Sequence, residues 1–318
     1  MTQHKVSFHV NWDESRSEFL ESISVQTPEK SGEWGRIKGV TDVDRADYHV
    51  VFNAPRSDLD ESNCLFFSAE PPVSSMYQQP GSVDYAAAFP IESQYKPQRW
   101  WIKKTYDQLT SMAPPTKTKP LSWITTDKGK NISEPRRRIR SVMRRVGISD
   151  EIREAIPFTN LAPLDGHVLR MEFYERMASE YPALLDLYGR GDFRGRHYQG
   201  EIDDKWTGLE PYRYSLAIEN YSNENYFSEK ISDALLAWCM PIYWGCTNLP
   251  EFLPEDSYAW IDIEDPDAPK QVAEIVESNQ RERNLGAIAE ARSRILDQYQ
   301  IWPTVENAIS DLEEAYVD

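Results

Sequence analysis

The stretch Tyr212-Arg-Tyr-Ser-Leu-Ala-Ile-Glu-Asn220, followed after a few residues by Tyr226-Phe-Ser-Glu-Lys230, decides how the 318-residue chain is read. Ser215 to Ile218 reads as a buried strand, because strands covered on both faces lose polar alternation. It ends in Glu219-Asn220, a short polar loop follows, and Tyr226-Phe-Ser-Glu-Lys opens a helix with Ser228 as N-cap. Ile231, Ala234, Leu235 and Trp238 then fall on one stripe of that helix. The unit gathers an aromatic ring, a carboxylate, an amide and an ammonium around one helix N-terminus. Unpaired backbone N–H groups and the helix dipole both favour negative charge there. An anionic nucleotide is the ligand this pattern predicts.

Working outward, Met240-Pro-Ile-Tyr-Trp-Gly245 reads as a buried strand that tolerates a proline at its start. Tyr258 to Ile263 reads as another. From Pro266 onward the pattern is helical, in three pieces: to about Asn279, from Arg281 to about Tyr299, and after Pro303. Upstream lie a strand at Leu121–Thr125, a helix at Leu169–Glu180 and a strand at Leu184–Tyr188 that ends in Gly189-Arg-Gly191. In the first hundred residues Val6–Trp12 alternates like a strand. Tyr48–Phe52, Cys64–Phe67 and Asp84–Phe89 are compact apolar runs, punctuated by Asn53-Ala-Pro55, Glu70-Pro-Pro72 and Gln79-Pro-Gly81.

This is an α/β pattern in two blocks. A proline- and lysine-rich crossing between Tyr95 and Pro120 separates them, which predicts domains at 1–112 and 113–318. Within the second block, residues near 128–166 form a basic insertion containing Arg136, Arg137, Arg138, Arg140, Arg144 and Arg145. They read either as an exposed face balancing local acid or as a landing site for an anionic acceptor.

A net charge of −17 argues against generic nucleic-acid binding, which needs a broad basic face. A phosphate-bearing ligand must therefore be held by a few locally placed cations. The ten tryptophans and seventeen tyrosines offer stacking surfaces for sugars, or are core and interface filler. The N-terminus lacks a signal-peptide pattern and no run reaches the length of a membrane span. With three cysteines in no metal-ligand spacing, buried free thiols and a cytoplasmic location are expected. The five histidines show no ligand spacing either. The pair Asp203-Asp204 reads as solvated, and Asp262, Glu264, Asp265 and Asp267 as a helix-entry cluster.

The ordered series Glu219-Asn220, Tyr226-x-Ser-Glu229-Lys230, Pro241-x-x-x-Gly245 and Phe252 to Tyr258 resembles glycosyltransferase family 10, the α-1,3/α-1,4-fucosyltransferase family, in its bacterial type. Ile218 stands for the usual phenylalanine and Ser228 for threonine. Upstream, Trp123-Ile-Thr-Thr, Leu169–Tyr174, Leu187-Tyr-Gly-Arg190, Phe66–Glu70 and Asp84–Phe89 are similar to further family segments. The resemblance implies a GT-B fold, two Rossmann-like domains facing a central cleft, with a C-terminal domain that holds the donor. It also implies an inverting enzyme that transfers L-fucose from GDP-fucose to a hydroxyl of a glycan or glycolipid acceptor, with no obligatory metal. A transferase of the same fold using another nucleotide sugar, or a non-catalytic nucleotide-sugar-binding protein, is the alternative. Nucleic acid and a membrane span are not expected, and the oligomeric state is not legible.

The resemblance also assigns site residues. Lys230 and Arg170 would neutralise the departing diphosphate, Lys230 as a point charge and Arg170 through a two-pronged contact. For Arg170 an ordinary surface ion pair is the alternative, and for Lys230 a solvated lysine. A cation in a first helical turn opposes the dipole, which favours a bound anion as compensation. Glu229 would accept the ribose hydroxyls, Asn220 hydrogen-bond the donor and Tyr226 wall the pocket, or pack in the core. Glu219 and Ser228 are supporting residues, Glu219 read as a buried strut. Glu70, at a strand's carboxyl end, is the catalytic base or an exposed turn residue. Asp84 and Glu92 are lesser candidates.

Overall fold

The computed structural model describes residues 3–10, 12–53, 59, 61–68, 70, 85–127 and 166–315. Its elements run β1 (His4–His9), α1 (Arg16–Ser24), β2 (Glu33–Trp34), β3 (Ile37–Val40), β4 (Tyr48–Phe52), β5 (Cys64–Phe67), β6 (Ala87–Phe89) and α2 (Tyr106–Thr110). Then come β7 (Lys119–Ile124), α3 (Gly166–Glu180), β8 (Leu185–Tyr188), β9 (Tyr198–Gly200), β10 (Tyr212–Ile218), α4 (Glu229–Leu236) and β11 (Met240–Trp244). The chain closes with β12 (Ala259–Trp260), α5 (Ala268–Glu277), α6 (Gln280–Arg283), α7 (Leu285–Arg294) and α8 (Ile301–Ala315).

Two six-stranded sheets result, ordered β2-β3-β1-β4-β5-β6 and β12-β11-β10-β7-β8-β9. The second is parallel throughout, and in the first the β2–β3 pair is antiparallel. Strand β10 is central, with Leu216 opposite Ile242 on one side and Trp123 on the other. Every residue from Tyr214 to Ile218 is buried, as a parallel strand between helical layers requires.

Strand β1 departs from the alternating reading. Val6, Ser7, Phe8 and His9 are all buried. Ser7 and His9 are not a solvent face. Ser7 Oγ bridges His9 Nε2 at 2.8 Å and His49 Nδ1 at 2.7 Å, so the polar side chains satisfy one another inside the sheet. Asp84 and the basic insertion up to residue 165 lie outside the described residues. The three cysteines are free and buried.

The end of the chain returns to the first sheet. A π-helical turn at Ile295–Tyr299 is followed by extended Gln300, which leads into α8. Ile301, Trp302, Val305, Ala308 and Ile309 join the core of Val6, Phe8, Phe19 and Phe52. Trp302 has no exposed surface, and its indole N–H donates to the Ile23 carbonyl at 2.8 Å. Pro303 sits in the first turn of α8, where its missing N–H leaves nothing unpaired.

A strap at residues 98–101 meets this return and ties both sheets together. Gln98 donates to the Tyr299 carbonyl through its backbone and to the Phe227 carbonyl through its side chain. Arg99 forks onto Glu14 at 2.8 and 3.0 Å, and the Trp101 N–H donates to Asp233 at 2.9 Å. None of the described helices is long and apolar enough to cross a membrane.

Candidate functional site

The loops that follow β7, β8 and β10 leave the carboxyl ends of a parallel sheet, where α/β folds present ligand-binding groups. They and the starts of α3 and α4 enclose a cleft of about 350 Å³. Its walls are Ile124, Thr125, Thr126, His167, Arg170, Gly189, Arg190, Ile202, Lys205, Asn220, Glu229 and Lys230. Of the residues expected from sequence, Arg170, Asn220, Glu229 and Lys230 therefore meet around one space. Four cations face a single carboxylate there, although the chain as a whole is strongly acidic.

The scaffold of this wall is Glu219, the last residue before the β10 loop. Its side chain has no exposed surface. It accepts hydrogen bonds from the Ser228 N–H at 2.8 Å, from Ser228 Oγ at 2.7 Å and from Lys230 Nζ at 3.1 Å. A buried carboxylate is tolerated only when paired and hydrogen-bonded, and this one closes the strand end onto the first turn of α4. Ser228 caps the helix as expected, its Oγ accepting from the Lys230 N–H. Pro241-x-x-x-Gly245 has its reason here as well. A Cβ on Gly245 would lie 2.4 Å from Cγ of Glu219 and 2.5 Å from the Tyr243 hydroxyl.

Lys230 is thus already compensated from within the protein, by Glu219 and by Glu229 at 3.7 Å. The dipole argument for a bound anion loses force, because Glu219 supplies the opposing charge. What remains is the cavity that Lys230 faces.

Arg170 projects from the second turn of α3 and is 4% exposed. It donates to Asn220 Oδ1 at 2.8 Å and pairs with His167 Nδ1. It is a fixed guanidinium at the cleft wall, not a surface ion pair. Gly166 makes this approach possible, since a Cβ there would sit 1.9 Å from the Asn220 carbonyl oxygen.

Glu229 lies between two lysines, Lys230 and Lys205, the latter at 3.5 Å. Burial pushes its carboxyl upward, but the two ammonium groups outweigh it and hold the group at about 2. Lys205 sits 2.9 Å from Asp233 and is driven upward against its burial by Asp233 and Glu229.

Tyr226 is buried and is not among the residues that line the cleft. Burial first, then Glu219, Glu70 and Glu229, push its hydroxyl well above the ordinary tyrosine value. The carboxylate of Glu70 is thus among the charges that act on this hydroxyl. Glu70 itself is half-buried beyond β5, whereas Glu92 is exposed.

The sequence reading missed Thr125, Thr126, His167 and Lys205 as pocket residues, and Arg190 as more than a motif position. The first two and Arg190 follow strand ends directly, a signal that could have found them. Lys205 belongs to a single 3-10 turn after β9 and carries no such mark. Among the described residues no group of three potential ligands is arranged to hold a metal ion. Asp204 caps that 3-10 turn by accepting from the Trp206 N–H, and Asp262 and Asp265 accept from N–H groups two residues on.

Residues 160–285 match the family model described as Glycosyltransferase family 10 (fucosyltransferase) C-term. A putative fucosyltransferase-like protein of Arabidopsis thaliana is 40% identical over 78 residues, 24% of this chain and 14% of that protein. An alpha-(1,4)-fucosyltransferase of the same plant is 38% identical over 55 residues, 17% of this chain and 14% of its own. The chain thus aligns with about a seventh of each of these curated relatives, and neither lends support to the bacterial affinity expected above. A crystal structure of an alpha1,3-fucosyltransferase with GDP superposes with a TM-score of 0.51 at 16% identity, over 98% of this chain and 91% of that one. At that identity the likeness speaks for the fold, which is GT-B. The motif-bearing stretch of the second sheet, within residues 160–285, is thus similar to the C-terminal domain of glycosyltransferase family 10, the fucosyltransferase family.

Proposed function

We propose that the protein is an inverting glycosyltransferase that moves L-fucose from GDP-fucose to a hydroxyl of a glycan acceptor. The observation that carries this reading is the convergence of Arg170, Asn220, Glu229 and Lys230 on one cleft at the carboxyl ends of the second sheet. Such a cleft suits a diphosphate, since rigid cations in a partly dry site stabilise a leaving group whose charge grows in the transition state.

In this reading the acceptor oxygen attacks the anomeric carbon from the face opposite the diphosphate. The new carbon–oxygen bond forms as the bond to the β-phosphate breaks, and configuration inverts. Lys230 and Arg170 take up the charge that develops on the departing GDP. The transition state is oxocarbenium-like, as in glycoside hydrolysis, but the leaving group is stabilised by charge and not by protonation. Glu70 accepts the proton of the attacking hydroxyl. That its charge acts on the buried Tyr226 hydroxyl, in the loop after β10, is in keeping with this reading. Lysine and arginine neutralise the phosphates, so no divalent metal is required. Linkage to a 3- or a 4-hydroxyl follows from the acceptor side.

A panel of nucleotides in a thermal-shift assay tests the donor. GDP should raise the melting temperature by mass action, while UDP, CDP and ADP should not. A preference for another nucleotide would favour a different sugar donor. Replacing Glu70 by glutamine should leave GDP binding intact and cut transfer at least about a hundredfold. Turnover at the parental rate would remove Glu70 from the role of base. Turnover unchanged by EDTA is expected; loss restored by a divalent cation would overturn the metal-free reading.

A further inference from the structure

Among the described residues two large apolar side chains are exposed, Trp101 at 48% and Trp260 at 47%. Trp260 lies on β12, the outer edge of the second sheet. Trp101 lies on the strap between the sheets, and its backbone is fixed. Its N–H donates to Oδ1 of Asp233 at 2.9 Å, and Oδ2 of Asp233 holds Lys205, a residue of the cleft wall. A single side chain, that of Asp233, thus separates the backbone under the indole from the cleft.

One face of the ring is closed. The Arg99 guanidinium carbon stands 4.1 Å from the centre of the Trp101 ring and 5.3 Å from that of buried Phe19. Arg99 is itself fixed by its fork onto Glu14, and Trp12 Nε1 donates to the same carboxylate at 2.8 Å. Trp12 and Glu14 come directly after β1, so they belong to the carboxyl end of the first sheet. The indole therefore stands between a strand-end loop of the first sheet and the cleft wall of the second, a position in which α/β folds take up ligands. The charges around it are already paired, Arg99 with Glu14 and Lys205 with Asp233 and Glu229. Such surroundings offer little net field to an anion, but they frame a flat apolar surface with hydrogen-bonding groups. A pyranose ring matches both features, since its C–H face covers an aromatic ring while its hydroxyls reach polar groups at the edge. A protein partner would need a contiguous apolar patch, and this indole is bordered by ion pairs.

We propose that Trp101 is a stacking platform for a pyranose ring of the acceptor glycan, with the Arg99 guanidinium behind it fixing the plane of the indole. The proposal rests on the glycan-acceptor reading of this protein. It adds the place where that acceptor is held, on the strap side of the cleft next to Lys205.

The test is a saturation-transfer NMR titration of four disaccharides, lactose, cellobiose, maltose and N,N′-diacetylchitobiose, with GDP present. It is run on the full chain, on W101A and on W101F. The parental protein should bind at least one of the four. W101A should weaken that binding at least about tenfold, the worth of covering one ring face. W101F keeps a flat face and should stay within about threefold of the parental affinity. GDP affinity should stay within about twofold in all three proteins, because the bond to Asp233 comes from the backbone of residue 101 and survives both substitutions.

A second readout separates a platform from a mere cover. If the indole only shields the Arg99–Glu14 pair, W101A lowers the denaturant midpoint and leaves disaccharide binding unchanged, a result that would overturn the platform. Failure of all four disaccharides to bind a parental protein that binds GDP would overturn it too, leaving the donor reading standing. Loss of a dimer in W101A by light scattering, with disaccharide binding intact, would assign the ring to a contact between copies and overturn it equally. Disaccharide binding that depends on Trp101 in a protein that refuses GDP would overturn the donor reading alone, and binding of neither would overturn both.

Discussion

The ammonium of Lys230 lies 3.1 Å from Oε2 of Glu219, a carboxylate with no exposed surface at the end of β10. The pair joins a strand terminus to the first turn of the helix that follows it, so the cleft wall is part of the folding core. Replacing Glu219 by glutamine removes the nearer of the two carboxylates that compensate Lys230 and weakens the links to Ser228. A loss of about 2–4 kcal/mol is expected, read as a lower denaturant midpoint at unchanged slope. The double variant E219Q/K230M should be less destabilised than the sum of the single variants, because the two residues are in contact. Strict additivity would mean the pair contributes nothing.

Gly245 has no room for a side chain. Its Cβ would meet Glu219 Cγ at 2.4 Å, and Glu219 is held by three hydrogen bonds and cannot yield. G245A should therefore cost about 2 kcal/mol or more, an overpacking effect at the upper part of its usual range. Parental stability in G245A would show that the loop after β11 can move aside.

The Glu229 carboxyl sits at about 2 in the folded protein, below the roughly 4.3 of an unperturbed glutamate. A depressed carboxyl stabilises the fold fully above its unfolded value, and that contribution disappears as pH falls toward the folded one. The stability difference between the parental protein and E229Q should shrink by about 2 kcal/mol between about pH 4.5 and pH 2, a figure reduced for partial exposure. Parallel acid limbs in the two proteins would contradict this.

Much of this site was legible from the chain alone. The run Ser215–Ile218 reads as a buried strand because a parallel strand shows no polar face, and Ser228 reads as a cap because a hydroxyl there answers an orphan N–H. Some signals were present and passed over. Ser15-Arg-Ser-Glu18 is a capping box, and it opens α1 with both reciprocal hydrogen bonds formed. Other features were not there to read. The buried Ser7–His9–His49 network imitates an alternating half-exposed strand, because polar residues that satisfy one another look like a solvent face in sequence. The placement of Lys205 depends on a contact with Asp233 that only the fold creates.

The return of α8 to the first sheet was equally hidden, since an amphipathic helix does not announce which core it joins. Trp302 has no exposed surface and packs edge-on to Phe8 at 5.3 Å. W302A should lower stability by about 3–5 kcal/mol, as is usual for emptying a buried aromatic site. Because Trp302 touches the first sheet and not the cleft, the affinity of the still-folded variant for GDP should stay within about twofold of the parental value.

Isothermal titration of GDP into the parental chain and into K230M probes the donor pocket most directly. Saturable binding to the parental protein, weakened at least about thirtyfold in K230M, is the predicted result, since the proposed reading gives Lys230 a charged hydrogen bond to the phosphates. Equal affinity in the two proteins, or no binding of GDP by either, would contradict it.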